Sequence, residues 1–352
     1  MADFTKKRSM EFPRKVWLGH NAIDEVSNVC RDLQFGKNGL IVTGKDTYAA
    51  AGKKVEDLAS EKYDIAVVLT GNATRENIKT VEEAAKEHRS KFLLAVGGGS
   101  KIDISKMAAK NLNIPLISIP TSVAHDGIAS DRASIKSDEG SKSVGAVSPI
   151  GIIADTKVIS DAPYRYLAAG CADVISNLTA LKDWELANRK LKEEMSSSAC
   201  TIANYAAEEL ITNSMSIKPE SEESVWLVLK PIIASGVSML IAGSSRPTSG
   251  SEHMFSHALD VIGPETALHG EQCGVGSIMM MKLQGGDWKR IRDALKNIGA
   301  PTTAKELGFT DEEIIKALVM ARTMRNDRFT ILEEKKLTEQ AAKRVAKVTG
   351  VI

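Results

Sequence analysis

Half of the six histidines in this 352-residue chain fall in one stretch, "GSEHMFSHALDVIGPETALHGEQCG" at 250–274, as His253, His257 and His269. Imidazoles grouped beside carboxylates can ligate a divalent metal, and three protein ligands with one open position make such a metal catalytic. His253 and His257 are four residues apart and share one face of a helix. His269 lies beyond "VIGPET", which breaks that helix before the chain returns. The order "EHMFSH" puts the glutamate ahead of the first histidine, so this is not the HExxH of zinc proteases. Histidines at helical spacing are also ordinary surface residues, and spacing alone leaves both readings open. Asp173, in "AAGCADVISNLTALKDW" (168–184), lies among alanine, valine and isoleucine near the expected start of an apolar helix. There it either complements the helix dipole or, desolvated, calls for a cation. Cys171, two residues away, reads as packing rather than as a further ligand.

A second chemistry is written in "LLAVGGGSKIDISKMAA", which runs strand, Gly97-Gly98-Gly99-Ser100, helix. Glycines let the backbone approach a ligand, and a helix amino terminus offers unpaired N–H groups to a phosphate. The spacing is neither GxGxxG nor a Walker loop, and a plain tight turn would look the same. The loop "PTSVAHDGIASDRASI" (120–135) follows the next strand with small residues and hydroxyls suited to close ligand contact. Asp126 and His125 there are either polar contacts or turn residues.

These motifs need elements to carry them. Four nearly continuous apolar runs, at 39–44, 65–71, 92–99 and 114–121, suit strands buried on both faces of a parallel sheet. Helical patterns at 75–90 and 101–112 alternate with them, giving a layered α/β domain. Residues 132–155 read as a hairpin followed by a returning strand, "IGIIAD". From Tyr164 onward helical patterns dominate, so the chain divides near 160 into an α/β domain (1–160) and a helical one (161–352), with the cleft between them as the expected ligand site. With 46 Lys and Arg against 45 Asp and Glu, the net charge of +1 gives no reason to expect nucleic acid or an anionic membrane as partner. Four scattered cysteines suggest free thiols in a reducing cytoplasm. The longest apolar stretches, such as 231–243, fall short of the roughly 20 residues of a membrane span, and "MADFTKKRSMEF" lacks a signal-peptide core.

Together, Gly-Gly-Gly-Ser after the third apolar run, "TSVAHDGIASDRASI", the Asp of "AGCADVISN" and "SGSEHMFSHALD…LHGEQ" resemble the sn-glycerol-1-phosphate dehydrogenases, over nearly the whole chain. That family belongs with glycerol dehydrogenases, iron-dependent alcohol dehydrogenases and dehydroquinate synthases. The resemblance implies a dehydroquinate synthase-like fold: a Rossmann-like α/β dinucleotide-binding domain and an all-α domain, with metal and substrate between. It implies Asp173, His253 and His269 as ligands of one Zn2+ per subunit. Cofactor contacts would come from Gly98, Gly99, Ser100, Lys101, Ile102 and Asp103, and from Thr121, Ser122, Val123, Ala124 and Ser130. Asp126 and His257 would lie at the substrate with Asp173, and either His257 or water relayed past Asp126 would supply the proton. The implied reaction is NAD(P)H-dependent reduction of dihydroxyacetone phosphate to sn-glycerol 1-phosphate, an archaeal lipid backbone, in a cytoplasmic homo-oligomer of archaeal source. Zinc would act as Lewis acid as hydride arrives. Lys45, beyond the 39–44 run, tolerates a 2′-phosphate, so both NADH and NADPH are expected. Arg132 and Arg165 are candidates for the substrate phosphate by location only. The nearest rival is glycerol dehydrogenase acting on unphosphorylated glycerol; dehydroquinate synthase would need more basic residues near Asp173 and His253.

Overall fold

The computed structural model describes residues 5, 7, 9–137, 140–263 and 266–352. Among these, eight strands form: β1 (Lys15–Gly19), β2 (Asn38–Thr43), β3 (Asp64–Leu69), β4 (Phe92–Gly97), β5 (Leu116–Pro120), β6 (Arg132–Ser137), β7 (Gly140–Gly145) and β8 (Gly151–Asp155). Six build a sheet of order β1-β8-β5-β4-β2-β3 in which every pairing is parallel. The apolar runs therefore became strands because helices cover both faces, and β4 and β5 are buried along their whole length. The hairpin is β6 on β7, antiparallel, and residues 138–139 lie outside the described residues. β1 was not anticipated. It sits on an edge with Val16 and Trp17 exposed, so its sequence "KVWLG" lacks the continuous apolar signal of a buried strand.

The chain passes from β2 outward to β3, then returns to place β4 on the other side of β2. In an open parallel sheet the loops beyond the carboxyl ends diverge at such a reversal and leave a crevice for a ligand. The triple-glycine turn follows β4 and so stands at that reversal. Its helix, Gly99–Leu112, begins two residues before the apolar pattern suggested, at the glycines themselves. The 75–90 pattern becomes Arg75–Glu87, capped by Thr74, whose side chain accepts the Asn77 N–H.

Lys106, on the Gly99–Leu112 helix, is fully buried although nothing in its sequence neighbourhood singles it out. Its ammonium donates to the Gly127 carbonyl, to the Arg132 carbonyl at 2.8 Å and to Ser130 Oγ at 3.4 Å, and lies 3.7 Å from Asp103 Oδ1. Burial pushes its pKa down, while Asp103, Asp126 and Asp131 push it up. One cation thus ties the glycine helix to the 120–135 loop. Removing one member of a buried pair leaves the other charge uncompensated. Lys106→Met is expected to lower unfolding stability by about 3 kcal/mol. Urea titration checks this, and a loss below about 1 kcal/mol would show that the pair is not holding the loop.

The compact unit containing this sheet comprises Glu11–Tyr164 with Pro219–Leu229, while Arg165–Lys218 and Lys230–Ile352 belong to a helical unit. In the helical unit Asp173 lies in the last turn of the helix Tyr164–Ile175, not near the start of a helix as the sequence suggested. The next helix, Asn177–Leu191, starts immediately afterwards. The pattern ran on through both helices and hid the break at Ser176. The carboxylate therefore sits at the negative end of a helix dipole, and the dipole-complementing reading falls. Helix Glu222–Ala242 is 21 residues long and extends well before the 231–243 run. By length and composition it passes for a membrane span, yet 61% of its apolar window is buried in the protein, as in the core helix of a globular protein.

Candidate metal and cofactor sites

Three helices of the helical unit bring the ligand candidates together. His253 lies in the first turn of Ser251–Ile262, His269 opens His269–Leu283, and Asp173 lies on Tyr164–Ile175. Glycines let these helices approach. A Cβ on Gly274 would stand 2.9 Å from Ala172 Cβ, and one on Gly276 would stand 2.9 Å from Phe255 Cδ1. Asp173 Oδ1 is consequently 3.7 Å from His253 Nε2 and 3.9 Å from His269 Nε2. Donor atoms of Asp173, His253, His269 and Cys273 all lie within 4.8 Å of one another. This donor set fits a divalent metal: a carboxylate, two imidazoles and a sulfur at separations that one coordination sphere spans.

The surroundings fix which imidazole nitrogen faces the cluster. Glu252, fully buried, accepts from His253 Nδ1 at 2.9 Å and is itself held by Thr179 Oγ1 at 2.8 Å and the Gly250 N–H at 2.5 Å. His269 Nδ1 meets Ser256 Oγ at 3.0 Å, and that hydroxyl donates to Gln272 Oε1 at 2.6 Å. Each Nδ1 thus faces its outer partner, and each Nε2 is turned toward Asp173. An outer partner on the far ring nitrogen is the usual support of a metal-bound histidine. Arg165 makes a bidentate pair with Glu271 at 2.6 and 2.7 Å, and Glu271 also accepts the Leu268 N–H at 2.8 Å. That capping arrangement seats the turn from which His269 projects. Arg165 is therefore an ion-pair residue, as is Arg132, 3.4 Å from Asp131.

His257 is part-buried, with its ring 6.4 Å from that of His269 and edge-on to it. Burial, reinforced by His269 and His253, pushes its pKa down to about 3, and it is neutral at physiological pH. Burial likewise holds His253 neutral. Among the residues sequence reasoning passed over, Glu252, Ser256 and Cys273 all had a signal. Glu252 adjoins His253; Ser256 and Cys273 lie at helical spacing from Glu252 and His269 respectively. Cys171 is buried packing.

In the α/β unit, the turn residues divide by exposure. Gly98, Gly99, Ser100, Lys101, Ser122 and Ala124 are part-exposed, whereas Ile102, Asp103, Thr121, Val123 and Ser130 are buried. Gly98 caps the helix, and a Cβ on it would stand 2.9 Å from Ser122 Oγ, so the two loops face each other across the turn. A Cβ on Gly99 would run into the His125 imidazole, whose Nδ1 accepts the Gly127 N–H at 3.0 Å. Lys101 lies across Gly97 and donates to the Gly71 carbonyl; burial pushes its pKa down. Backbone N–H groups at a helix start and a cation beside them form an anion seat. Asp103 accepts the Ser134 N–H at 3.0 Å, and Ser130 Oγ accepts the Arg132 N–H at 3.3 Å, so both hold the seat from beneath. Asp126 opens a short 3-10 turn, Asp126–Ile128, pinned through Gly127 by Lys106. Lys45 and Asp46 are exposed just beyond β2.

The profile of iron-containing alcohol dehydrogenases matches residues 17–163. A glycerol-1-phosphate dehydrogenase [NAD(P)+] of Methanosarcina mazei is 53% identical over 344 residues, 97% of this chain and 96% of the relative. One from Picrophilus torridus is 49% identical over 350 residues, 99% of this chain and 100% of the relative. Among solved structures, the fold is shared with a probable glycerol dehydrogenase from Sinorhizobium meliloti (TM-score 0.78, 19% identity, 97% of this chain and 98% of that one). It is shared equally with a glycerol dehydrogenase from Schizosaccharomyces pombe (TM-score 0.78, 20% identity, 98% and 90%). Half-identity across the full length, with the donor cluster and glycine turn in place, is decisive: the chain belongs to the glycerol-1-phosphate dehydrogenases, oxidoreductases of the iron-containing alcohol dehydrogenase type.

Proposed function

We propose that the chain reduces dihydroxyacetone phosphate to sn-glycerol 1-phosphate with NADH or NADPH, using one Zn2+ per subunit held by Asp173, His253 and His269. The observation that carries this reading is the convergence of those three side chains in a chain about half-identical to glycerol-1-phosphate dehydrogenases. When bound, the metal supplies a Lewis acid for the substrate carbonyl and the nicotinamide supplies hydride. The protein's own residues do the rest. Glu252 and Ser256 hold the two imidazoles in one orientation, which removes the cost of orienting them at the moment of reaction. Gly98 and Gly99 admit the cofactor phosphates to the helix N–H groups, with Lys101 as counter-charge and Ser122 and Ala124 lining the opposite loop. His257, neutral, offers an N–H to the substrate oxygen and passes a solvent proton through its ring rather than storing one as imidazolium. Asp126 is held for substrate contact by the Lys106-pinned turn.

Oxidation of NADH and of NADPH by purified protein is followed with dihydroxyacetone phosphate and with dihydroxyacetone, before and after chelation. Expected are turnover of the phosphorylated ketone, loss of it on chelation, and a product refused by an enzyme specific for sn-glycerol 3-phosphate. Oxidation of free glycerol by NAD, with no turnover of the phosphate ester by zinc-loaded protein, would move the chain to glycerol dehydrogenase chemistry.

A further inference from the structure

We propose that Cys273 is a fourth protein ligand of the metal, an inference that rests on the metal site proposed above. His269 and Cys273 are four residues apart on one helix and therefore share a face. Cys273 Sγ is 3.6 Å from His269 Nε2, beside the 3.7 and 3.9 Å separations that join Asp173 to the two imidazoles. Metal–nitrogen and metal–oxygen bonds of about 2.0–2.2 Å and a metal–sulfur bond of about 2.3 Å place tetrahedral donors roughly 3.3–3.7 Å apart. These three separations come close to those edges, and the remaining donor pairs lie within 4.8 Å.

The choice of thiol is specific. Cys171 is equally buried, two residues from Asp173 in sequence, yet only Cys273 joins the cluster of donors. The helix periodicity explains this: Cys171 and Asp173 are two apart and point to different faces, whereas His269 and Cys273 are stacked one turn apart. On metal loading the S–H proton leaves to solvent and a sulfur–metal bond forms, with no change in oxidation state. A sulfur in the shell makes the site softer than an Asp-His-His set and so favours zinc over Fe2+. Four protein donors do not close such a site to substrate, because catalytic zinc expands to five-coordination.

X-ray absorption at the zinc edge of the substrate-free holoenzyme reads this directly. Expected is one sulfur at about 2.3 Å beside a shell of nitrogen and oxygen at about 2.0–2.2 Å. In Cys273→Ser the sulfur contribution disappears while zinc stays bound. The Co2+-loaded protein is expected to show a near-ultraviolet sulfur-to-cobalt absorption that the variant lacks. Stoichiometric zinc with nitrogen and oxygen donors alone in the unsubstituted protein overturns the proposal and leaves the metal site standing. A sulfur contribution that persists in Cys273→Ser overturns it by pointing to another thiol. Failure to bind any metal stoichiometrically overturns both this inference and the metal reading beneath it.

Discussion

Asp173→Asn is expected to lower kcat/KM with dihydroxyacetone phosphate at least about 1,000-fold, the several kcal/mol that a Lewis acid contributes to such a transition state. Asparagine keeps the size and shape of the side chain but removes the charge that a divalent ion needs beside the His253 and His269 imidazoles. Metal content per subunit, measured on dialysed protein, should fall with the activity. The same substitution carries an opposite expectation for the metal-free fold. Asp173 is buried in the last turn of its helix, where the dipole disfavours a carboxylate. Apo protein bearing asparagine should therefore melt no lower than apo protein bearing aspartate. Loss of activity with an equal or higher apo melting temperature separates a ligand from a residue that merely supports the fold. Stoichiometric metal and kcat/KM within tenfold of the unsubstituted enzyme would remove Asp173 from the site.

Gly99→Ala is expected to weaken NADH and NADPH binding about 100-fold, which corresponds to one or two charge-assisted hydrogen bonds at about 1.5–3 kcal/mol each. Gly99 is the first residue of its helix, where N–H groups have no partner within the helix. A methyl group there collides with the His125 ring, which its bond to the Gly127 N–H keeps in place. Fluorescence titration with the reduced cofactor measures the loss, and the metal content should be unchanged because the donors lie in the other unit. Adding His125→Ala opens space for the methyl, but that methyl still occupies the phosphate seat. The double variant should therefore remain weak. A dissociation constant within threefold of the unsubstituted protein in Gly99→Ala would reduce the glycine turn to a plain strand-to-helix connection.

Strands β2, β4 and β5 were legible because a parallel sheet covered on both faces demands nearly continuous Val, Ile and Leu, and β3 was legible because it keeps such a run although it lies half-buried on the sheet edge. The other edge strand, β1, was not, because its short segment sets only Val16, Trp17 and Leu18 between Lys15 and Gly19 and two of these are exposed. The histidine cluster was visible as composition, since helical spacing is a local property. That His253 and His269 meet Asp173, eighty or more residues away in sequence, is not local. It depends on Gly274 and Gly276 letting three helices close to contact distance. Cys273 shows the same limit from the other side: its spacing from His269 was on view, but only the approach of the Asp173 helix makes that face a donor cluster.

By itself, then, the sequence determined the alternating strands and helices of the first part and the mainly helical second part, the glycine turn at a strand's carboxyl end and the residue types of the donor cluster, while residues 219–229 group with the sheet rather than with the helices around them. These rest on periodicity and side-chain chemistry, which neighbours along the chain express. The tertiary structure alone decided which nitrogen of each imidazole faces the donor cluster, that Lys106 rather than a surface residue pins the 120–135 loop, and that Arg165 is committed to Glu271. Each of those outcomes is a pairing between residues distant in sequence, and burial imposes it: a polar group removed from water must find its partner wherever the fold brings one.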